Sequence, residues 1–380
     1  MPKQPALKTV LGQLSWKITS PRVEAYVAQA GGHLGPVTFD RKGQKIMPYS
    51  VAPWATEKVD RALPQIIKTL RGDFFCLPFG GNTTPFRGET HPVHGETANA
   101  KWSFVSTGKS NGMTELHLRL KTRIRPGQVD KHILLPADHD AVYQRHVISN
   151  MSGPMSMGHH AMLRFPDEGG IISTSPFTLG QVYTAPVELP ANRGYSILKP
   201  GATFDTLEKV PTVTGEMTDL THYPARRGYE DLVTLVADTN VPFAWTAVTF
   251  PKQRFAWFAL KDPSVLRQTI FWISNGGRHY APWSGRHVNV LGLEEVTSYF
   301  HDGLAESVND NPFQQRGIAT YVTLDPARPM RVNYIMGVAA LPAGFERISW
   351  IEAETGSIVL RSSDGKKSVK VPVDVGFLHS

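Results

Sequence analysis

The sequence predicts an all-β protein, a large antiparallel β-sandwich, from three observations. Apolar and polar residues alternate in several short runs. Glycine and proline, 33 and 29 in number, are spread along the chain and cut it into segments of strand length. No regular succession of strand-like and helix-like segments occurs, which argues against a doubly wound sheet. A chain of 380 residues would ordinarily suggest two domains, but β-sandwiches often exceed the usual size as one unit, so a single domain over 1–380 is expected. With 41% hydrophobic and 10% aromatic residues the chain can bury a sizeable core, which excludes disorder.

Taken in chain order, FDRKGQKIM reads as two strand segments joined by a turn at Lys42-Gly43. DRALPQIIKTL is the one respectable helical stretch, with Pro64 expected in its first turn. Asn111-Gly112 marks a tight hairpin turn, and TELHLRLKTRI follows it with Leu116, Leu118 and Leu120 on one face and His117, Arg119 and Lys121 on the other. SIVLRSSDGKKSVKV repeats the hairpin form around Asp364-Gly365, so 345–380 reads as an appended hairpin packed on the main sandwich.

Composition removes several classes of function. The net charge of +7 is dispersed with no arginine-rich stripe, so no nucleic-acid partner is expected. No run approaches the roughly 18 apolar residues of a membrane helix. The start MPKQPALKTVLGQLSWKI lacks the apolar core of a signal peptide, and the one cysteine, Cys76, has no internal partner, so a cytoplasmic protein is expected. Gly31-Gly32 and Gly80-Gly81 are not followed by phosphate-cradling residues, so no nucleotide cofactor is expected.

Three segments set titratable groups where packing does not require them. LRGDFFCLPFGGNTTPFRGETHPVHGETANAKW carries Arg71, the Gly80-Gly81 turn and His94-Gly95, where glycine would let a ligand approach the backbone. GHHAMLRF carries His159 and His160; on an extended chain adjacent side chains point to opposite faces, so only one can enter a given cleft. GRHVNVLGLEEVTSYF ends an apolar alternation in Glu294, with Glu295 pointing away. The bland alternatives are a turn histidine, a buried histidine bonded to backbone, and a strand-end carboxylate paired with Arg278 or Arg286. His91 and His94, with Glu96 nearby, have a spacing open to zinc or iron, but no other ligand motif supports it and no metal is expected.

These segments resemble the galactose mutarotase-like (aldose 1-epimerase) superfamily, nearest its hexose-6-phosphate mutarotase-like branch. That branch has Arg-Gly-Gly, an apolar run, Pro, Phe-Gly, then His-Gly with a downstream Trp, and here Arg71-Gly72, Pro78-Phe79-Gly80, His94-Gly95 and Trp102 stand in those places. Asp73 departs from the pattern, where a second glycine is usual. The resemblance implies the galactose mutarotase type of β-sandwich and interconversion of sugar anomers by acid/base ring opening. It selects His160 over His159 as acid, Glu294 as base and His94 as a group bonding near the ring oxygen, with Arg71 and Asp231 holding the sugar. Trp283 with Arg278 suits stacking on a sugar face and bonding its hydroxyls. Ala98 stands where the branch usually has an arginine, so an unphosphorylated sugar is expected over a hexose 6-phosphate. A noncatalytic sugar-binding or sensor protein, or a different sugar epimerase or isomerase, remains open on the same fold.

Overall fold

A computed structural model describes residues 5–380. It is 47% strand and 6% helix. Two antiparallel sheets form the body. The first, the site sheet, has seven strands in the spatial order Thr203–Phe204, Phe177–Val182, Tyr229–Ala237, Gln268–Asn275, Val290–Thr297, Met157–Arg164 and Phe75–Cys76. The second, the back sheet, has nine, centred on Ala244–Phe250, Phe255–Lys261, Met330–Ala340 and Ala141–Ser149. Alternate residues of the site sheet, among them Val233, Phe271, Leu291 and Leu293, face inward onto Val248, Phe250 and Trp257 of the back sheet and form the main core.

The local signals act as the side-chain chemistry requires. Met113–Thr122 is a strand with Leu116, Leu118 and Leu120 buried, and it pairs with Ser103–Ser110. The connecting Asn111 and Gly112 have φ of +48° and +74°. Both central residues of a two-residue hairpin turn of this kind need positive φ, which asparagine and glycine tolerate. The segment around Lys42-Gly43 is shorter than a hairpin: Phe39 and Ile46 exchange both backbone hydrogen bonds and nothing extends the ladder. The helix is Gln65–Thr69, with Pro64 at its N-cap, one position further out than its first turn.

After Phe345 the chain forms three strands, Ile348–Glu354, Ser357–Ser362 and Ser368–Pro372, one more than a hairpin. Ile348, Ile351, Ile358 and Leu360 pack on Trp245, Phe258 and Ile335 of the back sheet's outer face. That cover explains why Ala244–Phe250 is buried at every position instead of alternating. Among the described residues no helix is long and apolar enough to cross a membrane.

Candidate active site

The site lies on the outward face of the site sheet. There Met162, Ile270, Trp272, Val290 and Val296 form a second apolar cluster with Trp54, Phe74, Phe79, Trp283 and Phe300 from the loops above. Register builds the centre. His160 stands opposite Glu294 and His159 opposite Glu295, so strand alternation puts His160 and Glu294 together on the outward face. The His160 Nε2 is 3.1 Å from a Glu294 carboxylate oxygen. Gly292 makes the space: a Cβ there would lie 2.8 Å from Glu294 Oε1 and 3.0 Å from the Trp272 Cβ.

His159 and Glu295 turn inward to different partners. His159 Nδ1 is 3.0 Å from Asp73, both side chains being fully buried, and Asp73 also accepts from Gln144 Nε2 at 2.6 Å. The departure from glycine at Asp73 thus supplies a hydrogen-bond partner for His159. Glu295 pairs with Lys261 and accepts from Thr246 and Thr269.

His94 is brought to the pair by a strained turn. Its φ is +57° and that of Gly95 is +75°, and a Cβ on Gly95 would lie 1.9 Å from the Leu77 carbonyl oxygen. The Gly80 N–H donates to His94 Nδ1 at 3.3 Å, which leaves the proton on Nε2. The ring stands edge-on to His160, centroids 5.0 Å apart. His301 joins them from the chain after Val290–Thr297, its carbonyl accepting from Gly81 N–H at 2.6 Å. Arg278 lies over Trp272 and Trp283, 5.1 and 4.7 Å from the ring centroids. Its Nε is 3.0 Å from Glu188 and 3.9 Å from Glu230.

His94, His160, Glu294, His301, Arg278 and the two indoles line one cavity of about 150 Å³, with Glu188 and Glu230 behind Arg278. Burial dominates its electrostatics. It pushes the Glu294 carboxyl well above the usual carboxylate range, and the Arg278 charge draws it back only in part. It pushes His160 down to about 3 and His301 to about 4, and holds His94 well below the ordinary histidine range, with His160 adding to the effect. Glu230 is raised by burial to about 7. At neutral pH the His160–Glu294 pair is therefore uncharged overall and holds one proton between its two members.

Two of the sequence-derived substrate residues are not in this cavity. Arg71 is fully buried, and its guanidinium donates to the carbonyls of Thr69, Val10 and Leu11 at 3.0, 2.8 and 2.7 Å. It ties the N-terminal strands to the body. Asp231 lies on the inward face of its strand and accepts from the backbone N–H of Ile197 and Leu198. It borders a different cavity of about 410 Å³, whose His222 and Asp219 are solvent-exposed. Strand parity gives the outward position to its neighbour Glu230. Arg278 and Trp283 do line the cavity with His94, His160 and Glu294. Arg286 pairs with Glu57 at the surface.

Sequence reasoning also missed Trp272, His301 and Glu188. Trp272 sits in a strand buried at every position, so no alternation singled it out. His91 is 2.9 Å from Glu89, while Glu96 accepts from the backbone of Arg123 and Ile124, so His91, His94 and Glu96 serve separate partners. Among the described residues no three His, Cys, Asp or Glu side chains cluster to hold a metal ion.

The chain has the galactose mutarotase-like fold. It superposes on a candidate aldose 1-epimerase from Escherichia coli K12 with a TM-score of 0.58 and 14% identity, over 87% of this chain and all (100%) of that one. A galactose mutarotase-like protein from Clostridium acetobutylicum gives 0.58 at 13% identity, covering 88% and 98% of the two chains. One from Lactobacillus casei gives 0.53 at 12%, covering 86% and 100%. No family model matches the sequence, and no curated protein matches it.

Proposed function

We propose that the protein is an aldose 1-epimerase-like isomerase that interconverts the anomers of a sugar by acid/base ring opening. The observation that carries this reading is the buried His160–Glu294 pair, 3.1 Å apart on the wall of a cavity that also holds His94. Ring opening needs a proton taken from the C1 hydroxyl and another given to the ring oxygen. The pair holds one proton, and the reaction consumes none overall.

On substrate binding that proton resides on His160 and Glu294 is a carboxylate. Glu294 takes the C1 hydroxyl proton, the C1–O5 bond breaks with its electrons passing to O5, and His160 protonates O5. The pair is then a neutral carboxyl and a neutral imidazole, the form that burial favours. After rotation about C1–C2, the reverse transfers close the ring on the other face of the carbonyl. His94, with its proton on Nε2, donates to the oxygen where charge develops. Arg278 bonds ring hydroxyls from its seat on Trp272 and Trp283. Among the described residues Arg278 is the one lysine or arginine that lines the cavity, and it already faces two carboxylates, which supports an unphosphorylated sugar.

Exchange of anomer signals by magnetisation-transfer NMR tests the reading. Exchange of an unphosphorylated aldose should rise well above the buffer rate with catalytic protein. If no aldose or aldose phosphate is accelerated, the enzymatic reading falls, and sugar binding without turnover replaces it.

A further inference from the structure

We propose that the cavity selects an uncharged, partly deoxygenated aldose, such as a 6-deoxy- or dideoxyhexose, whose apolar side lies on a wall of Ile66, Ile67, Leu70, Val93, Val187 and Leu232. The proposal rests on the anomer-exchange reading and names its substrate class. The lining supplies the first argument. The polar side chains in it are His94, His160, His301, Arg278 and Glu294; among the described residues no serine, threonine, asparagine, glutamine or aspartate side chain faces the cavity. His160, Glu294 and His94 are engaged at C1 and the ring oxygen, so only Arg278, His301 and the indole N–H groups of Trp272 and Trp283 remain among the lining side chains for the other hydroxyls.

A hydroxyl placed against aliphatic side chains loses its water partners and gains none, whereas a methyl or methylene gains from leaving water. Two aromatic rings would suit the apolar face of any pyranose. Six aliphatic side chains go beyond that need, and they come from four separate parts of the chain: the short helix region, the turn before His94, the loop at Val187 and, for Leu232, the strand Tyr229–Ala237. Charge supplies the second argument. The guanidinium of Arg278 is covered by two indoles and faces Glu188 and Glu230, so a phosphate or carboxylate would find no uncompensated cation. The reaction itself places the apolar group. Ring opening requires a free C1 hydroxyl, which excludes an apolar aglycone at C1 and assigns the wall to a deoxygenated carbon elsewhere.

Matched pairs test it, each differing by one hydroxyl: D-galactose against 6-deoxy-D-galactose, D-glucose against 6-deoxy-D-glucose, and 6-deoxyhexoses against 3,6-dideoxyhexoses. By NMR anomer exchange the deoxy member should have the higher kcat/KM by about 10- to 100-fold, the range over which an apolar pocket distinguishes an added hydroxyl. Val187→Thr, which sets a hydroxyl on the wall at nearly constant shape, and Ile67→Thr, which does so while also shortening the side chain, should lower that ratio. Equal or faster turnover of the parent hexoses, or a ratio unchanged in both variants, overturns the proposal while leaving the isomerase reading intact. If no sugar is turned over, saturation-transfer NMR of the same pairs decides the selectivity separately: preferential binding of the deoxy member supports it and equal binding overturns it.

Discussion

Replacing Glu294 by glutamine tests the proposed chemistry most directly, because the amide keeps the size and hydrogen-bonding reach of the side chain beside His160 and removes only its capacity to accept a proton. In the structure this does more than delete a base. His160 is fully buried with its protonated form suppressed to about 3, and the carboxylate of Glu294 is the neighbour that can stabilise an imidazolium there. Glu294→Gln therefore leaves His160 unable to serve as acid, and one substitution removes both proton transfers. A general acid or base contributes about 10²- to 10⁴-fold, or about 3–5.5 kcal/mol of barrier. The expected loss in kcat lies at the upper part of that range, with KM within about threefold because binding contacts persist. His160→Asn should lose at least about 10²-fold, and the double variant should be no slower than the slower single one, as befits groups acting as a unit. The readout is NMR anomer exchange with stability checked by thermal melting. A folded Glu294→Gln protein with near-wild-type exchange, or losses that multiply in the double variant, would refute the one-proton mechanism.

Other consequences follow from the same geometry. Because His160 is depressed to about 3 and burial raises Glu294, the pair keeps its one proton well below neutrality, and Glu230 beside Arg278 titrates only at about 7; kcat should be flat from about pH 4.5 to 6, and an acid limb of the kind an ordinary histidine of about 6.5 gives would contradict it. Gly292→Ala, whose Cβ would press on the Glu294 carboxylate at 2.8 Å, should lower kcat by at least about tenfold with the fold retained, as expected for a misplaced reacting group. His159→Asn should destabilise the fold by about 3 kcal/mol, by leaving Asp73 buried without its partner, yet lower kcat far less than His160→Asn does. Activity should survive EDTA, and loss restored by zinc or iron would move His91 and His94 to a metal site.

The sequence carried the fold through its turns and alternations, but strand phase was readable only where one face met solvent. Met113–Thr122 shows the difference: its polar face is half-buried to exposed, and Leu116, Leu118 and Leu120 declare the buried side. Tyr229–Ala237 is buried from Glu230 onward, so nothing in its composition says which of two adjacent acids faces outward. The one-residue choice fell on Asp231 where the geometry puts Glu230 near Arg278. Arg71 was unreadable for another reason. Its partners are carbonyls of Val10 and Leu11, sixty residues away in the chain, and backbone acceptors leave no mark in side-chain identity. For His160 and Glu294 the alternation of an extended chain told only that one member of each adjacent pair, His159–His160 and Glu294–Glu295, enters a given cleft, and the family resemblance chose the member. His301 had no such signal, since a loop after the strand brings it back over Gly81.

Asp231 provides the last test, because its burial makes a stability claim independent of catalysis. Burial raises its carboxyl from 3.8 to about 7, against the pull of the Leu198 and Ile197 N–H groups. For an acid whose folded pKa exceeds its unfolded value, the folded state binds the proton more tightly. The stabilisation is complete below about pH 3.8, diminishes as pH rises, and is gone above about 7. Across that window this one group accounts for up to about 4 kcal/mol, at 1.36 kcal/mol per pKa unit. Asp231→Asn keeps an acceptor oxygen and cannot ionise, so its stability relative to wild type should rise between about pH 4 and 7.5, by urea unfolding at each pH. Anomer exchange should stay within about twofold of wild type, since the side chain borders the other cavity. A relative stability independent of pH would show that Asp231 ionises normally in its buried seat, and a large loss of kcat would return it to the catalytic cleft from which strand parity removes it.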